Sequence, residues 1–308
     1  MGDLRFYLFG GFRMVQGDLP ETKVARTVQL LLAYLLLHKD RTHSREKLAN
    51  LFWSDYDQNR ARTCLRTALC RTRRLLEPPD TPRGTFLLTT TDEIGFEKES
   101  DCWLDVVAFE AQVSRTLLQP IHAMEVDDAQ ELESALQLYT GDFLESFYDD
   151  WVLWERERLQ RLYLNSLAHL LRYHKHHRAY TKGLECGREI LLRDPLREEI
   201  HREMMQLYLN NGQRALAVRQ YETCREILEA ELGIQPMEET RELENQITSK
   251  IDLHQAQSID PDESPHVQLA LQQVRLGIKK LQDAQAQLQQ AIQFFERTKD
   301  LDTRAPNS

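Results

Sequence analysis

The four residues Arg188-Glu189-Ile190-Leu191 return 37 positions later as Arg225-Glu226-Ile227-Leu228, and each copy precedes a turn that contains a proline. A self-similarity of that length, close to the ~34 residues of tetratricopeptide repeats, is the mark of stacked helical hairpins. One such hairpin cannot bury its apolar face alone, so the feature commits this part of the chain to helices packed on helices. The surroundings agree. Beyond the run Asp101-Cys102-Trp103-Leu104-Asp105 the periodicity is helical almost without interruption, with turns at Gly141-Asp142, Asp194-Pro195, Asn210-Asn211-Gly212 and Gly233-Ile234-Gln235-Pro236.

The first hundred residues follow a different grammar. Residues 4–15 are β-branched and aromatic around the pair Gly10-Gly11, which predicts short strands about a turn. From Val24 the period becomes helical: Val24, Val28, Leu31, Leu32, Leu35 and Leu36 share one face of a helix ending near His38. Ser44 is the expected N-cap of a shorter helix burying Leu48, Leu51 and Phe52, and Asp57 that of a third helix, which Pro78-Pro79 stops after Glu77. Residues 85–91 and 94–97 about Asp92-Glu93 predict a β-hairpin. Strands, three helices and a closing hairpin are the order of a winged helix-turn-helix.

Charge divides along the same line. The chain of 308 residues carries a formal net charge of −10, yet residues 1–78 are net +6, residues 79–258 net −15 and residues 259–308 net −1. Between positions 57 and 76 the arginines Arg60, Arg62, Arg66, Arg71, Arg73 and Arg74 face only Asp57. A basic module on an acidic body is the balance expected when one face approaches a polyanion. At 100° per residue, Ala61, Leu65, Ala68, Leu69, Thr72 and Leu76 form the core face of the third helix. Arg62, Thr63, Arg66, Thr67, Cys70, Arg73 and Arg74 fall opposite. In a major groove about 12 Å wide, Arg can make paired bonds to guanine, and Thr can meet a thymine methyl or a base edge. Arg62, Thr63, Arg66 and Thr67 are therefore the expected base readers, and Arg26, Arg45, Arg73 and Arg74 the expected phosphate contacts.

Toward the C-terminus, Val267, Leu271, Val274, Ile278, Leu281, Gln285, Leu288, Ile292 and Phe295 are spaced alternately by four and three, the seam of a left-handed coiled coil over about four heptads. With Leu271, Ile278, Gln285 and Ile292 at a, a single polar residue interrupts the seam, a known device for fixing register. The helix can pair with its twin, placing two modules on adjacent half-sites, or fold back on the acidic body; a homodimer is the favoured expectation.

Certain runs carry a resemblance. Arg41-Thr42-His43-Ser44-Arg45-Glu46-Lys47-Leu48-Ala49-Asn50-Leu51-Phe52-Trp53, then Arg60-Ala61-Arg62-Thr63-Cys64-Leu65-Arg66-Thr67-Ala68-Leu69 and Arg73-Arg74-Leu75, resemble the response-regulator-type winged helix of the SARP family of bacterial transcriptional activators. Gly141-Asp142-Phe143-Leu144, residues 151–158, Arg193-Asp194-Pro195-Leu196-Arg197-Glu198-Glu199 and Glu231-Leu232-Gly233-Ile234-Gln235-Pro236 are similar to the activator domain that follows it in that family. The match spans about residues 3–250 and departs at Cys70 and Thr72, where the family commonly carries a serine and a leucine. The resemblance implies activators that sit on direct repeats near promoters and recruit RNA polymerase, with the third helix in the major groove and the wing near the minor groove.

The fold class expected is thus mainly α with a small β component. The expected domains are a winged helix-turn-helix (1–100), a tetratricopeptide-like helical body (101–254), a linker (255–266) and an amphipathic heptad helix (267–298). The function expected is a cytoplasmic transcriptional activator that reads duplex DNA. An adaptor whose body holds another protein, with nonspecific DNA attachment, is the alternative; only the activator keeps a preference among sequences as salt rises.

Other features predict little chemistry. The longest apolar run, residues 30–37, is far below the ~20 residues of a membrane span, and no signal peptide is expected. Five scattered cysteines without a C-x-x-C pair suit a reducing compartment. Cys64 and Cys70 stand about 9 Å apart along a helix axis, too far for a disulfide. The histidines of Tyr173-His174-Lys175-His176-His177 are expected to be exposed at a helix end rather than metal ligands, and Tyr148, Trp151 and Trp154 to be core. No phosphate loop, G-x-S-x-G or H-E-x-x-H occurs, so neither an enzyme nor a cofactor is expected.

Overall fold

The computed structural model describes residues 4–17 and 24–257, with side chains to residue 249. Strand β1 (Leu4–Tyr7) buries Leu4 and Phe6 in alternation, with Leu8 following in the same phase, and pairs antiparallel with β2 (Arg13–Gln16). Gly10 supplies the positive φ between them. Helix α1 (Arg26–Leu37) is buried nearly all round, on Leu30 and Ala33 as well as the expected face, which makes it the central helix of the module. Ser44 caps α2 (Arg45–Phe52), accepting from the Lys47 amide at 3.2 Å. Asp57 caps α3 (Gln58–Leu76), accepting from the Asn59 and Arg60 amides.

The hairpin follows as β4 (Leu87–Thr89) and β5 (Glu93–Phe96), in antiparallel register from Leu87↔Phe96 to Thr89↔Ile94. Two strands went unread in the sequence. The two-residue β3 (His43–Ser44) pairs with β5 and makes the wing sheet β3-β5-β4. β6 (Cys102–Leu104) pairs parallel with β1 and completes the sheet β2-β1-β6. Both are too short for a periodic signal. In α2, Leu51 is exposed rather than buried: Leu48, Ala49 and Phe52 define the inward face and Leu51 lies about 110° from its centre.

After β6 come α4 (Asp105–Leu117), α5 (Val126–Leu136), α6 (Asp150–His176), α7 (Tyr180–Arg193), α8 (Glu198–Asn210), α9 (Arg214–Leu232) and α10 (Glu238–Gln257). Helices α6–α7 and α8–α9 are the two expected hairpins, and the echoed residues occupy the second helix of each. Close approach of α7 to α8 uses glycine: a Cβ on Gly187 would lie 2.7 Å from Met204 Cγ. α10 runs past position 255, where the linker was expected to begin. The expected heptad helix, with Leu271, Val274, Ile278, Leu281, Gln285, Leu288, Ile292 and Phe295, lies outside the described residues.

One core joins the winged module to the helical body. Asp105, the first residue of α4, accepts from the Leu8 and Phe9 amides at 2.8 and 3.0 Å. The loop before α6 returns to the N-terminal strand through Leu144 N–H to Leu8 O and Gly10 N–H to Asp142 O, both 2.9 Å. Arg156 of α6 holds that loop, donating to the carbonyls of Phe143, Leu144 and Phe147. Trp151 packs edge-on to Tyr34 of α1 and Phe52 of α2. Of the three aromatics expected in the core, therefore, Trp151 is half-buried at this joint, whereas Tyr148 and Trp154 are exposed. Among the described residues no helix is long and apolar enough to cross a membrane.

Candidate nucleic-acid interface

Helix α3 separates its two faces as the 3.6-residue period dictates. Ala61, Leu65, Ala68, Leu69, Thr72 and Leu76 are buried; Arg62, Thr63, Arg66, Thr67, Cys70 and Arg74 are exposed and Arg73 is half-buried. The Thr63 hydroxyl donates to the Asn59 carbonyl (2.9 Å) and the Thr67 hydroxyl to the Thr63 carbonyl (3.0 Å). Their protons are thus engaged along the helix, and what they offer outward is a methyl group and acceptor lone pairs. Arg62 and Arg66 have no ion-pair or hydrogen-bond partner among the described residues, so their forks remain available to a ligand.

Two open clefts flank this face. The larger, about 590 Å³, lies between α3, the start of α2 and the wing turn, and is lined by Ser44, Arg45, Glu46, Arg62, Leu65, Arg66, Thr91 and Asp92. The second, about 400 Å³, continues along α3 past Leu69, Cys70, Arg73 and Arg74 to Arg83 and Thr89. Arg45 and Arg66 border both clefts. Arg45 is fixed at the first position of α2, where its amide donates to the Asp92 carbonyl (2.9 Å) and its Nε to the Thr90 carbonyl (3.1 Å).

Glu77 sets the position of the wing. Its Oε1 accepts from the amides of Gly84, Phe86 and Leu87 at 3.0–3.1 Å, while Oε2 meets Arg73 Nε at 3.3 Å. Burial alone would raise this carboxyl, but the three amides and Arg73 outweigh it and hold its pKa below the usual value. Arg73 also donates to Thr89 Oγ1 (2.7 Å), so this expected phosphate contact is largely engaged in fastening β4 to the end of α3. Sequence reading missed Glu77 and Arg83. A signal for Glu77 existed, since an acid in the last turn of a helix opposes the macrodipole and asks for a local partner.

Arg26 needs a larger revision. Its guanidinium lies 4.0 Å from the centroid of the Phe147 ring and donates to the Ser146 carbonyl at 2.9 Å, so it serves the joint with the helical body. The spacing that put it at the start of α1 was sound; the sequence did not show which surface that start would meet. His174, expected at an exposed helix end, is buried, with Nε2 3.3 Å from Glu133 Oε1. No group of three or more metal-ligating side chains occurs among the described residues.

Residues 104–248 match the family model "Bacterial transcriptional activator domain". Regulatory protein AfsR of Streptomyces coelicolor is 24% identical over 251 residues, covering 80% of this chain and 24% of that protein. AfsR of Streptomyces griseus is 24% identical over 255 residues, with 79% and 24% covered. The chain therefore spans about a quarter of the length of these curated relatives. Among solved structures, Mycobacterium tuberculosis EmbR in complex with a low-affinity phosphopeptide superposes with a TM-score of 0.68 at 18% identity, over 81% of this chain and 66% of that one, a likeness of fold.

Proposed function

We propose that the chain is a SARP-family transcriptional activator, a reading supported by the match of residues 104–248 to the bacterial transcriptional activator domain and by its likeness to AfsR, and that it is a sequence-specific reader of duplex promoter DNA that recruits RNA polymerase. The observation that carries this reading is the outer face of α3, where Arg62 and Arg66 stand exposed and unpartnered among the described residues beside Thr63 and Thr67. In this reading α3 enters the major groove, Arg62 and Arg66 bond guanine edges, and the two threonines meet methyl groups or base donors. Arg45 and Arg74, with the remaining capacity of Arg73, neutralise phosphates, and Arg83 joins them from the loop before β4. Arg26 leaves the phosphate set because of its contact with Phe147.

The reading module extends to about residue 100, and the helical body presents the surface for polymerase. Two copies on a promoter repeat, joined through the heptad helix, complete the assembly, which works in the cytoplasm and needs neither cofactor nor catalysis. Titration of a labelled duplex carrying the preferred site, at several salt concentrations, tests this. Arg66→Ala is expected to weaken the preferred site by about 1–3 kcal/mol and to relax base choice, whereas Arg45→Ala weakens all sites alike and lowers the salt slope by about one. Equal losses on every sequence for Arg66→Ala would remove α3 from the groove.

A further inference from the structure

One position on the outer face of α3 has no role so far. At about 100° per residue, Asn59 lies within about 20° of Arg66, about 40° of Thr63 and about 60° of Arg62, so it stands in the middle of that face and at its N-terminal end. Asn59 is exposed, and its side-chain amide has no hydrogen-bond partner among the described residues. The residues on either side are occupied. Gln58 Nε2 donates to Glu46 Oε1 at 2.8 Å, and the Arg60 guanidinium lies 4.4 Å from the centroid of the Tyr56 ring.

The backbone at Asn59 is set by the start of the helix. Its amide donates to Asp57 Oδ1 at 3.1 Å, and its carbonyl accepts from the Thr63 hydroxyl at 2.9 Å. A side chain this short reaches only what the backbone brings it to, and a helix lying in the major groove brings its N-terminal residues to base edges. There an asparagine amide offers one donor and one acceptor, which match N7 and the N6 amine of adenine. Phosphate oxygens only accept and cannot complete that pair. Two helical turns separate Asn59 from Arg66, about 10 Å along the axis at ~1.5 Å per residue, or about three base steps of ~3.4 Å.

We propose that Asn59 is a specificity-determining residue that bonds N6 and N7 of an adenine in the major groove, about three base steps from the guanine bound by Arg66. The inference rests on the DNA-reading function proposed above and adds adenine to the bases that α3 reads.

Selection of bound duplexes from a random pool, run in parallel with the full chain and with Asn59→Ala, Asn59→Asp, Arg66→Ala and Asn210→Ala, tests it. An acid is favoured in the first turn of a helix, so Asn59→Asp keeps the fold while it removes the donor to N7. Asn210→Ala removes an exposed amide from the end of α8. The full chain is expected to return a motif with a preference of about tenfold for adenine at one position. Asn59→Ala brings that position alone near unity, and Asn59→Asp shifts it toward cytosine, whose N4 amine suits a carboxylate. Arg66→Ala relaxes a different position about three steps away, and Asn210→Ala leaves the motif unchanged. A motif without adenine, an adenine preference that survives in Asn59→Ala, or a uniform fall in affinity on every sequence for that variant would overturn the proposal while leaving α3 as reader. No motif from the full chain would overturn the reading on which it rests.

Discussion

The Arg26 guanidinium lies over Phe147, 4.0 Å from the ring centroid, and through this contact the first turn of the central winged-module helix is fastened to the loop that precedes α6. The same loop is gripped from behind by Arg156 and meets the N-terminal strand through Leu144 and Asp142. The winged module and the helical body therefore share a packed, hydrogen-bonded joint.

Arg26→Ala separates the two roles open to this residue. It is expected to lower stability by about 1–2 kcal/mol, from a cation–π contact and a charge-assisted hydrogen bond that are both partly solvated. Chemical denaturation reads this, while the salt slope of DNA binding stays at the wild-type value. A slope reduced by about one, with stability unchanged, would return Arg26 to the phosphates.

Glu77→Ala frees three amides and Arg73 at once. A loss of about 2–4 kcal/mol is expected from the unsatisfied donors, together with hydrogen exchange at the amides of Gly84, Phe86 and Leu87 faster than in the rest of the module. Unchanged protection there would mean that the wing is held by its strand pairing alone.

Packing in the helical body depends on a missing side chain. Because a Cβ on Gly187 would meet Met204 Cγ at 2.7 Å, Gly187→Ala forces α7 and α8 apart and is expected to cost about 1–3 kcal/mol. Met204→Ala costs stability by itself through a cavity, yet thermal melting of the double variant should show a smaller loss than the two single losses added together. Simple additivity would place the strain elsewhere.

The pH dependence has two opposing parts. Burial lowers the pKa of His38, His43, His169, His174 and His201, so the unfolded chain takes up protons first and their stabilisation is present above about pH 6.5 and lost as pH falls below it. His201 shows the cause in geometry: Nε2 donates to the Pro195 carbonyl (3.0 Å) and Nδ1 accepts from the Gln220 amide (2.7 Å), so protonating Nδ1 sets a proton against a donor. Burial pushes Asp105 up to about 6, which acts the other way, adding stability as pH falls through about 6 toward 4. Between pH 7.5 and 6 the five histidines outweigh the single Asp105 carboxyl, which only begins to take up its proton there, and the melting temperature is expected to fall. His201→Gln should flatten that fall, by no more than about 1.4 kcal/mol per pH unit; an unaltered profile would show that His201 does not titrate there.

Much of this was legible in the chain, for reasons that differ by element. The six core positions of α3 follow from a period of 3.6, and the caps Ser44 and Asp57 from side chains that satisfy free amides. What stayed hidden depends on contacts distant in sequence: β6 pairing with β1, Arg26 stacking on Phe147, and Asp105 receiving the amides of Leu8 and Phe9. Tyr148 and Trp154 were misjudged because aromatic spacing shows that a face exists, not whether a neighbour covers it. The basic outer face of the candidate site was visible, whereas the placing of Asp92 in its cleft needed the turn in three dimensions.

The central claim is that the outer face of α3 reads sequence in duplex DNA. Selection from a random pool by the purified full chain at about 150 mM salt, where much nonspecific binding is suppressed, tests it most directly. Two similar half-sites rich in guanine at a fixed spacing are the predicted result, lost in Arg62→Ala/Arg66→Ala. Recovery of no common motif, with binding that follows salt alone, would contradict the account.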